Sequence, residues 1–372
     1  MKLKKILITS NTSWYLFNFR LGLIEELINE KNEIYIVAPE DKYSLKLIKI
    51  GCNFISINFD NKGLNPFKDY ISYFNLKKIY NRIKPNLILN YTIKPVIFGS
   101  LAAKKLSIPY INNITGLGTV FITRNWVTFF VKFLYKLVLK YSNYIFFQNF
   151  DDYDLFKKYN LISKSTPIDI IPGTGINLEK FEFSSYPKSK NIIFLYIGRI
   201  IKDKGFLEFI EVAKKIIKSR NDIKFQVLGY LNVKNRTAIT KNQLEYFINQ
   251  GYIEYLGNSD DVRPFIKKAS CIVLPSYREG LPKSLLEAAS MGRPIISTNV
   301  TGCREIVFEG KNGFLCNPRD SKDLYHKTIE FITLSYNDKK KLGINGRKIM
   351  KKSFDEKKII QKIISHINEI LI

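Results

Sequence analysis

Short apolar runs that alternate with longer amphipathic stretches narrow the possible folds of this chain more than any other feature. Residues 6–8, 34–37, 54–57, 87–89 and 110–111 read as buried strands, and residues 21–29 and 70–83 between them carry helical spacing. Strands that are apolar throughout are covered on both faces, and strands separated by helix-length segments pair in parallel, because a parallel pair needs a crossover. The rhythm continues through 144–147 and 168–171 and breaks at the polar, Pro-containing stretch 184–190. It restarts at 192–197 and runs through 225–228, 253–256, 271–274 and 294–297. The pattern predicts an α/β chain of two Rossmann-like domains, residues 1–183 and 191–354, joined by a linker at 184–190. A helical segment, 355–372, follows the last strand and is expected to cross back to domain one. Two such domains facing each other leave a cleft at the carboxyl ends of their strands, where open α/β sheets bind ligands.

A length of 372 residues suits two domains, and 45% hydrophobic content excludes wholesale disorder. Cys52, Cys271, Cys303 and Cys316 show neither C-x-x-C spacing nor metal-site grouping. Cys52 and Cys271 adjoin apolar runs and read as core thiols, which fits a reducing compartment. The first apolar run is too short for a signal sequence and leads into polar Asn11-Thr12-Ser13. No apolar run reaches the roughly 18 residues of a membrane span, so the expectation is a soluble or peripheral protein. The formal charge is +26, from 59 Lys and Arg against 33 Asp and Glu. Such a surplus favours nucleic acid, anionic lipid or a phosphorylated substrate. Enrichment in Lys, Asn and Ile, the residues of A/T-rich codons, is an alternative source of the same charge.

Two motifs carry chemistry. Gly198-Arg199-Ile200-Ile201-Lys202-Asp203-Lys204-Gly205 follows the first strand of domain two. Gly198 admits close approach of a ligand, while Arg199 and Lys204 suit a diphosphate and the charge that builds on it as it departs. Pro275-Ser276-Tyr277-Arg278-Glu279-Gly280-Leu281-Pro282 follows the strand at 271–274 and leads into a helix containing Glu287. Gly280 and Pro282 suit a tight strand-to-helix turn, and free N–H groups at the helix start suit phosphate. Glu279 can accept from sugar hydroxyls, and Glu287, about two turns into the helix, from a ribose diol. The competing readings are a solvated basic loop and ordinary surface carboxylates.

The two glutamates with seven residues between them, and the upstream Gly-Arg…Lys-Gly, resemble the retaining GT-B glycosyltransferases of family 4. Gly257-Asn258-Ser259-Asp260-Asp261-Val262, Met291-Gly292-Arg293-Pro294, Gly302-Cys303-Arg304-Glu305 and Gly310-Lys311-Asn312-Gly313-Phe314 follow in the family's order. The resemblance spans essentially the whole chain. It implies that Gly198, Arg199 and Lys204 meet the donor diphosphate, that Glu279, Gly280, Leu281 and Pro282 hold sugar and phosphate, and that Glu287 holds the ribose. Arg199, Lys204 and Glu279 would carry catalysis, with no cofactor. Thr92-Ile93-Lys94-Pro95 and Thr115-Gly116-Leu117-Gly118 resemble the subgroup that builds capsule, O-antigen and lipid-linked oligosaccharides on polyprenyl diphosphate. On that basis Asn11, Thr12, Ser13, Lys94 and Thr115 would face the acceptor.

The chain departs from the commoner pattern in three places. Asn11-Thr12-Ser13-Trp14 stands where many members have a Gly-Gly pair, Thr115 where many have His, and Asn177 where Asp is commoner. His326 and His366 lie in late helical segments and read as structural or exposed. The family's proposed front-face mechanism tolerates this, because the leaving diphosphate takes the acceptor proton. No Asp-x-Asp follows a donor-domain strand, so a metal is not expected, and Asp151-Asp152 reads as a helix cap.

Residues 126–141 are dense in Trp, Phe and Leu, with Lys132, Lys136 and Lys140 at helical spacing. This composition suits a helix lying in a membrane interface; the alternative is a helix packed on domain one with snorkelling lysines. The expectations are therefore a UDP-sugar donor, a polyprenyl-diphosphate-linked acceptor, an anionic membrane surface at the cytoplasmic face, and no nucleic acid. A UDP-sugar 2-epimerase shares the architecture but needs cleft acid/base groups, which the scarcity of His disfavours. A basic nucleic-acid binder would show a recognisable module, and none is visible.

Overall fold

A computed structural model of the chain describes residues 3–59, 66–116, 126–231, 235 and 237–372, with the side chains of 66, 126 and 127 left aside. It divides into two compact units, Met1–Thr174 with Glu356–Ile372, and Gly175–Asp355.

The first unit runs β1 (Lys5–Thr9), α1 (Ser13–Phe19), α2 (Leu21–Asn29), β2 (Glu33–Ala38), α3 (Ser44–Lys49), β3 (Asn53–Ser56), α4 (Pro66–Ile83) and β4 (Leu87–Tyr91). A π-helical turn (Pro95–Gly99), α5 (Ser100–Lys105), β5 (Tyr110–Ile114), α6 (Trp126–Leu139), β6 (Tyr144–Phe147), α7 (Phe150–Lys158) and β7 (Ile168–Ile170) complete its N-terminal part. All seven strands pair in parallel, in the order β3-β2-β1-β4-β5-β6-β7. One face of the sheet packs on α4, α5, α6 and α7 through Leu76, Ala102, Val131 and Phe156. The other packs on α1 and α2 through Leu16, Leu23 and Leu27.

The second unit runs β8 (Ile192–Ile197), α8 (Phe206–Ile216), β9 (Ile223–Leu228), α9 (Lys241–Asn249), β10 (Glu254–Tyr255), α10 (Arg263–Lys268), β11 (Cys271–Leu274), α11 (Lys283–Ser290), β12 (Ile295–Thr298), β13 (Gly313–Cys316), α12 (Ser321–Thr333) and α13 (Tyr336–Ser353). Its six strands are also parallel, in the order β10-β9-β8-β11-β12-β13. Both sheets reverse their strand order once, between β1 and β4 and between β8 and β11. Loops leaving such adjacent strands diverge to opposite faces and open a crevice at the carboxyl ends.

The last helix, α14 (Glu356–Leu371), belongs to the first unit. Ile359, Ile363, Ile364 and Ile367 fall at helical spacing on one stripe and join Leu23, Ile24 and Leu27 of α2 in one apolar cluster. The chain passes between the units at 174–175 and again at 355–356, where the Ile176 N–H donates to the Phe354 carbonyl at 2.8 Å.

Three sequence expectations change. The polar stretch 184–190 is no linker but part of the second unit. The Arg293 guanidinium, fully buried, donates to the Ser184 and Ser185 carbonyls at 2.9 and 3.0 Å and to the Ser184 hydroxyl at 2.7 Å. A buried cation needs its N–H groups satisfied, and these carbonyls satisfy them. Asn149, not Asp151-Asp152, caps α7: its side chain accepts from the Asp152 N–H at 2.8 Å, and the two acids occupy the first turn, where the helix dipole favours them. A further strand, β13, closes the second sheet where only a family motif was read.

All four cysteines are free and buried. Burial pushes the Cys52 and Cys303 thiols up to about 12. Among the described residues no helix is long and apolar enough to cross a membrane.

Candidate functional site

The β8–β11 switch point of the second unit brings the two sequence motifs together. After β8 the chain turns through Gly198 and Arg199 into a 3₁₀ turn, Lys202–Lys204, that ends on Gly205 at φ 69°. A Cβ at Gly205 would lie 2.0 Å from the Pro275 carbonyl, so only glycine lets this turn press against the end of β11. The Tyr277 N–H locks the contact by donating to the Asp203 carbonyl at 2.9 Å. A Cβ at Gly198 would meet Leu274 and Tyr196 at 3.7 Å, ordinary van der Waals contact, so the space around it does not demand glycine.

The consequence is an ion pair between Lys204 Nζ and Glu279 Oε1, both largely buried. The Ser276 hydroxyl donates to the same oxygen at 2.5 Å. The Glu279 N–H donates to the Thr301 carbonyl at 3.1 Å, so β12's exit loop holds the glutamate loop from the other side. Gly302, at φ 84°, allows this approach, since a Cβ there would sit 2.6 Å from the Gly280 carbonyl. Tyr196 lies behind the pair. Burial pushes its phenol well above the ordinary range, Glu279 adds to the rise and Arg199 opposes it, which places both charges near one ring. Arg199 is exposed, and among the described residues no carboxylate pairs with it.

Pro282 sits at the N-cap of α11 with φ −72° and ψ 114°, and Lys283 opens the helix. Proline's missing N–H costs nothing there, and the following amides point out of the helix start. Glu287 lies in the second turn, 8% exposed. Burial raises its carboxyl to about 7, against the pull of Lys283 and Lys180, with Asp261 adding to the rise. The side chain is thus a poised acceptor that ionises near neutral pH.

In the first unit the β1–β4 switch point gathers the other sequence candidates. The Asn11 N–H donates to Thr92 Oγ1 at 3.2 Å. Thr92 holds φ 71°, a left-handed conformation that a β-branched residue adopts only under strain, and strain of this kind concentrates at functional sites. Thr12 is the N-cap of α1 and accepts from the Tyr15 N–H at 3.1 Å. Ser13 is buried, donates to the Pro39 carbonyl at 2.5 Å and accepts from Ser44 at 3.2 Å. Lys94 pairs with buried Asp69 at 2.6 Å just before the π-helical turn. Thr115 is half-buried two residues short of Leu117 and Gly118, which lie outside the described residues. Ser13 and Lys94 are therefore committed to protein partners. Sequence reasoning missed Asp69, Ser276 and Tyr196, whose roles depend on contacts from distant elements. His366 meets Asp169 at 3.1 Å beside Lys362 on α14, a structural role.

Two family models match in turn: Glycosyl transferase 4-like over residues 5–149 and Glycosyl transferases group 1 over residues 178–349. The N,N'-diacetylbacillosaminyl-diphospho-undecaprenol alpha-1,3-N-acetylgalactosaminyltransferase of Campylobacter jejuni is 32% identical over 330 residues, covering 84% of this chain and 85% of the relative. The chain belongs to the GT4-like, group 1 glycosyltransferases. A second relative of this glycosyltransferase is the UDP-Gal:alpha-D-GlcNAc-diphosphoundecaprenol alpha-1,3-galactosyltransferase of Escherichia coli, 25% identical over 88% of each chain. The fold of the present chain matches the crystal structure of a glycosyltransferase from Rickettsia africae with a TM-score of 0.81 at 20% identity, over 100% of this chain and 99% of that one. The two-domain, parallel-sheet architecture is that of the GT-B enzymes.

Proposed function

We propose that this glycosyltransferase moves a hexose or N-acetylhexosamine from a UDP-sugar to a polyprenyl-diphosphate-linked sugar, with retention, in assembly of a bacterial surface or lipid-linked glycan. The observation that carries the reading is the Lys204–Glu279 couple at the β8–β11 switch point, with Arg199 exposed beside it. The Campylobacter and Escherichia relatives support the acceptor class, since both names specify sugars on diphospho-undecaprenol, and the second names a UDP-sugar.

In this reading Arg199 and Lys204 bind the donor diphosphate next to Gly198. Glu279 and the backbone of Gly280, Leu281 and Pro282 hold the sugar, and Glu287 accepts from the ribose diol. The acceptor hydroxyl oxygen bonds to the anomeric carbon as the carbon–oxygen bond to the diphosphate breaks. The electron pair goes to the departing phosphate oxygen, and that same diphosphate takes the hydroxyl proton. The two cations stabilise the charge as it develops, in place of a metal ion. Asn11, Thr12 and Thr115 lie at the strand ends where the acceptor would enter, with Lys94 and Ser13 shaping that wall.

The first unit also supports a location at an anionic membrane. On α6 the side chains of Phe129, Phe130, Phe133 and Leu137 are exposed while Val131, Tyr135 and Val138 are buried. Lys136 is exposed on the same helix, Lys132 packs over the Tyr159 ring at 3.2 Å, and Lys140 falls one residue past the helix end. On α4, Phe67, Tyr70, Ile71 and Phe74 are exposed as well, and both helices pack on α5. Aromatic side chains with lysines at their margin suit an interfacial surface.

The test is transfer from UDP-sugars to lipid-diphosphate-linked acceptors by purified protein, with and without chelator. Glu279→Ala and Lys204→Ala are each expected to lower turnover by about a hundredfold or more. Wild-type rates in both variants, or an inverted product, would overturn the assignment.

A further inference from the structure

The first unit contains a buried cation with no counter-charge in contact with it. Arg20 links α1 to α2 and is 4% exposed. Its Nε and Nη2 donate to the Tyr15 hydroxyl at 3.3 and 3.0 Å, and its Cζ lies 4.5 Å from the centre of the buried Tyr91 ring. Glu356 of α14 acts on it only from a distance. Among the described residues no carboxylate lies within ion-pair distance of it, and no acceptor meets Nη1. A guanidinium removed from water requires an anion or a full set of acceptors. Burial opposes the charge, but Tyr15, Tyr91 and the more distant Glu356 outweigh it and hold the guanidinium above its ordinary value, while no hydrogen bond among the described residues reaches Nη1.

The same side chain lines a small cavity at the carboxyl ends of β5 and β6, together with Asn113, Gln148 and Gly173. Phe146 and Ile171 form apolar walls. The cavity measures about 10 Å³, room for one water-sized group. It lies on the α1–α2–α14 face, at the end of the sheet where ligands of α/β domains bind. Gly173, at φ 60°, bends the chain past it just before the first unit ends.

We infer that Arg20 is an anion-recognition residue that receives one phosphate oxygen of the acceptor's diphosphate in this cavity. The inference rests on the proposed acceptor class. The guanidinium fork offers Nη1 to the entering oxygen while the Tyr15 hydroxyl and the Tyr91 ring fix its plane. Asn113 and Gln148 stand at the same cavity to orient the rest of the phosphate. Arg199 and Lys204, the cations assigned to the donor diphosphate, belong to the other unit and can be silenced without touching this cavity, which separates the two sources experimentally.

The experiment uses full-length protein carrying Arg199→Ala and Lys204→Gln, which silences the donor-side cations. Inorganic diphosphate is titrated and binding read by calorimetry and thermal unfolding, with and without Arg20→Lys or Arg20→Met. The expected result is binding that both Arg20 variants weaken at least tenfold. Arg20→Lys keeps the charge and tests the fork, so it remains informative if Arg20→Met destabilises the fold. Diphosphate affinity unchanged by Arg20→Lys would overturn the inference, as would equal Arg20-dependent protection by succinate, which would assign a carboxylate site instead. In otherwise wild-type enzyme, Arg20→Lys is expected to raise KM for the lipid-diphosphate acceptor at least tenfold with KM for the UDP-sugar within twofold. A change of equal size in both KM values would mark a purely structural residue. If wild-type enzyme glycosylates no lipid diphosphate, the functional reading fails while the diphosphate titration still decides the role of Arg20.

Discussion

Replacing Glu287 with glutamine removes an ionisation that the fold opposes. Burial raises this carboxyl from 4.5 to about 7, and each pH unit of that difference is worth about 1.4 kcal/mol. Ionising Glu287 inside the folded unit therefore costs on the order of 3 kcal/mol relative to the unfolded chain. The sign follows from proton binding. Between pH 4.5 and 7 the folded state holds a proton that the unfolded state has released, so wild-type stability falls as pH rises through that window and levels off above 7. Glutamine has no such term. Denaturant unfolding of wild type and Glu287→Gln from pH 4 to 8.5 is expected to show the variant gaining about 3 kcal/mol on wild type, nearly all of it below pH 7. Charge effects elsewhere cancel in the difference. Donor binding offers a second readout. An ionised carboxylate accepts from the ribose hydroxyls better than a neutral one, so donor binding expels the proton. UDP affinity of wild type relative to the variant should then improve by up to tenfold per pH unit below 7 and become constant above it. A stability difference that does not change with pH would refute the buried-carboxyl argument. A UDP affinity ratio flat across pH 6–8 would refute the ribose assignment.

Gly205 and Gly251 share φ 69°, but a Cβ at Gly205 meets the Pro275 carbonyl at 2.0 Å while one at Gly251 meets nothing within 4 Å. Gly251→Ala should cost about 1 kcal/mol with unchanged kinetics, and Gly205→Ala should cost more and raise donor KM at least tenfold by moving Lys204; equal effects would show that the contact with β11 is unimportant. Phe129→Ser with Phe133→Ser should reduce sedimentation with anionic vesicles at least tenfold and leave UDP binding untouched, and unchanged sedimentation would remove α6 from the membrane surface.

The second unit's candidate site could be outlined from the sequence because its contributors come in two short motifs, each directly after an apolar strand. β8 and β11 need no long-range information to be recognised, and their parallel pairing forces the two motifs together. The limits of 174–175 and 184–190 were not legible. Ser184 and Ser185 look like linker residues, and only the buried Arg293 from a distant turn shows that their carbonyls are in use. The same holds for β5. The apolar run that predicts this strand stops at 111, yet Asn112 is buried, accepting from Ser100 at 2.9 Å and donating to Ser142 at 2.8 Å. Polar residues inside a fold acquire their meaning from partners that local patterning does not reveal. Arg20 belongs to this group, as does Thr92, whose strain is invisible in a string of residue types.

The return of α14 to the first unit has a consequence for synthesis. Residues 175–355 form an uninterrupted stretch, so that unit has all of its strands and helices as soon as Asp355 has been added. The first unit begins earlier but must wait: the apolar cluster that α2 shares with the sheet stays incomplete until Ile359, Ile363 and Ile367 of α14 emerge to join it. The unit that starts first is therefore completed last, and a chain stopped at Asp355 would carry one finished unit and one with an open, sticky face.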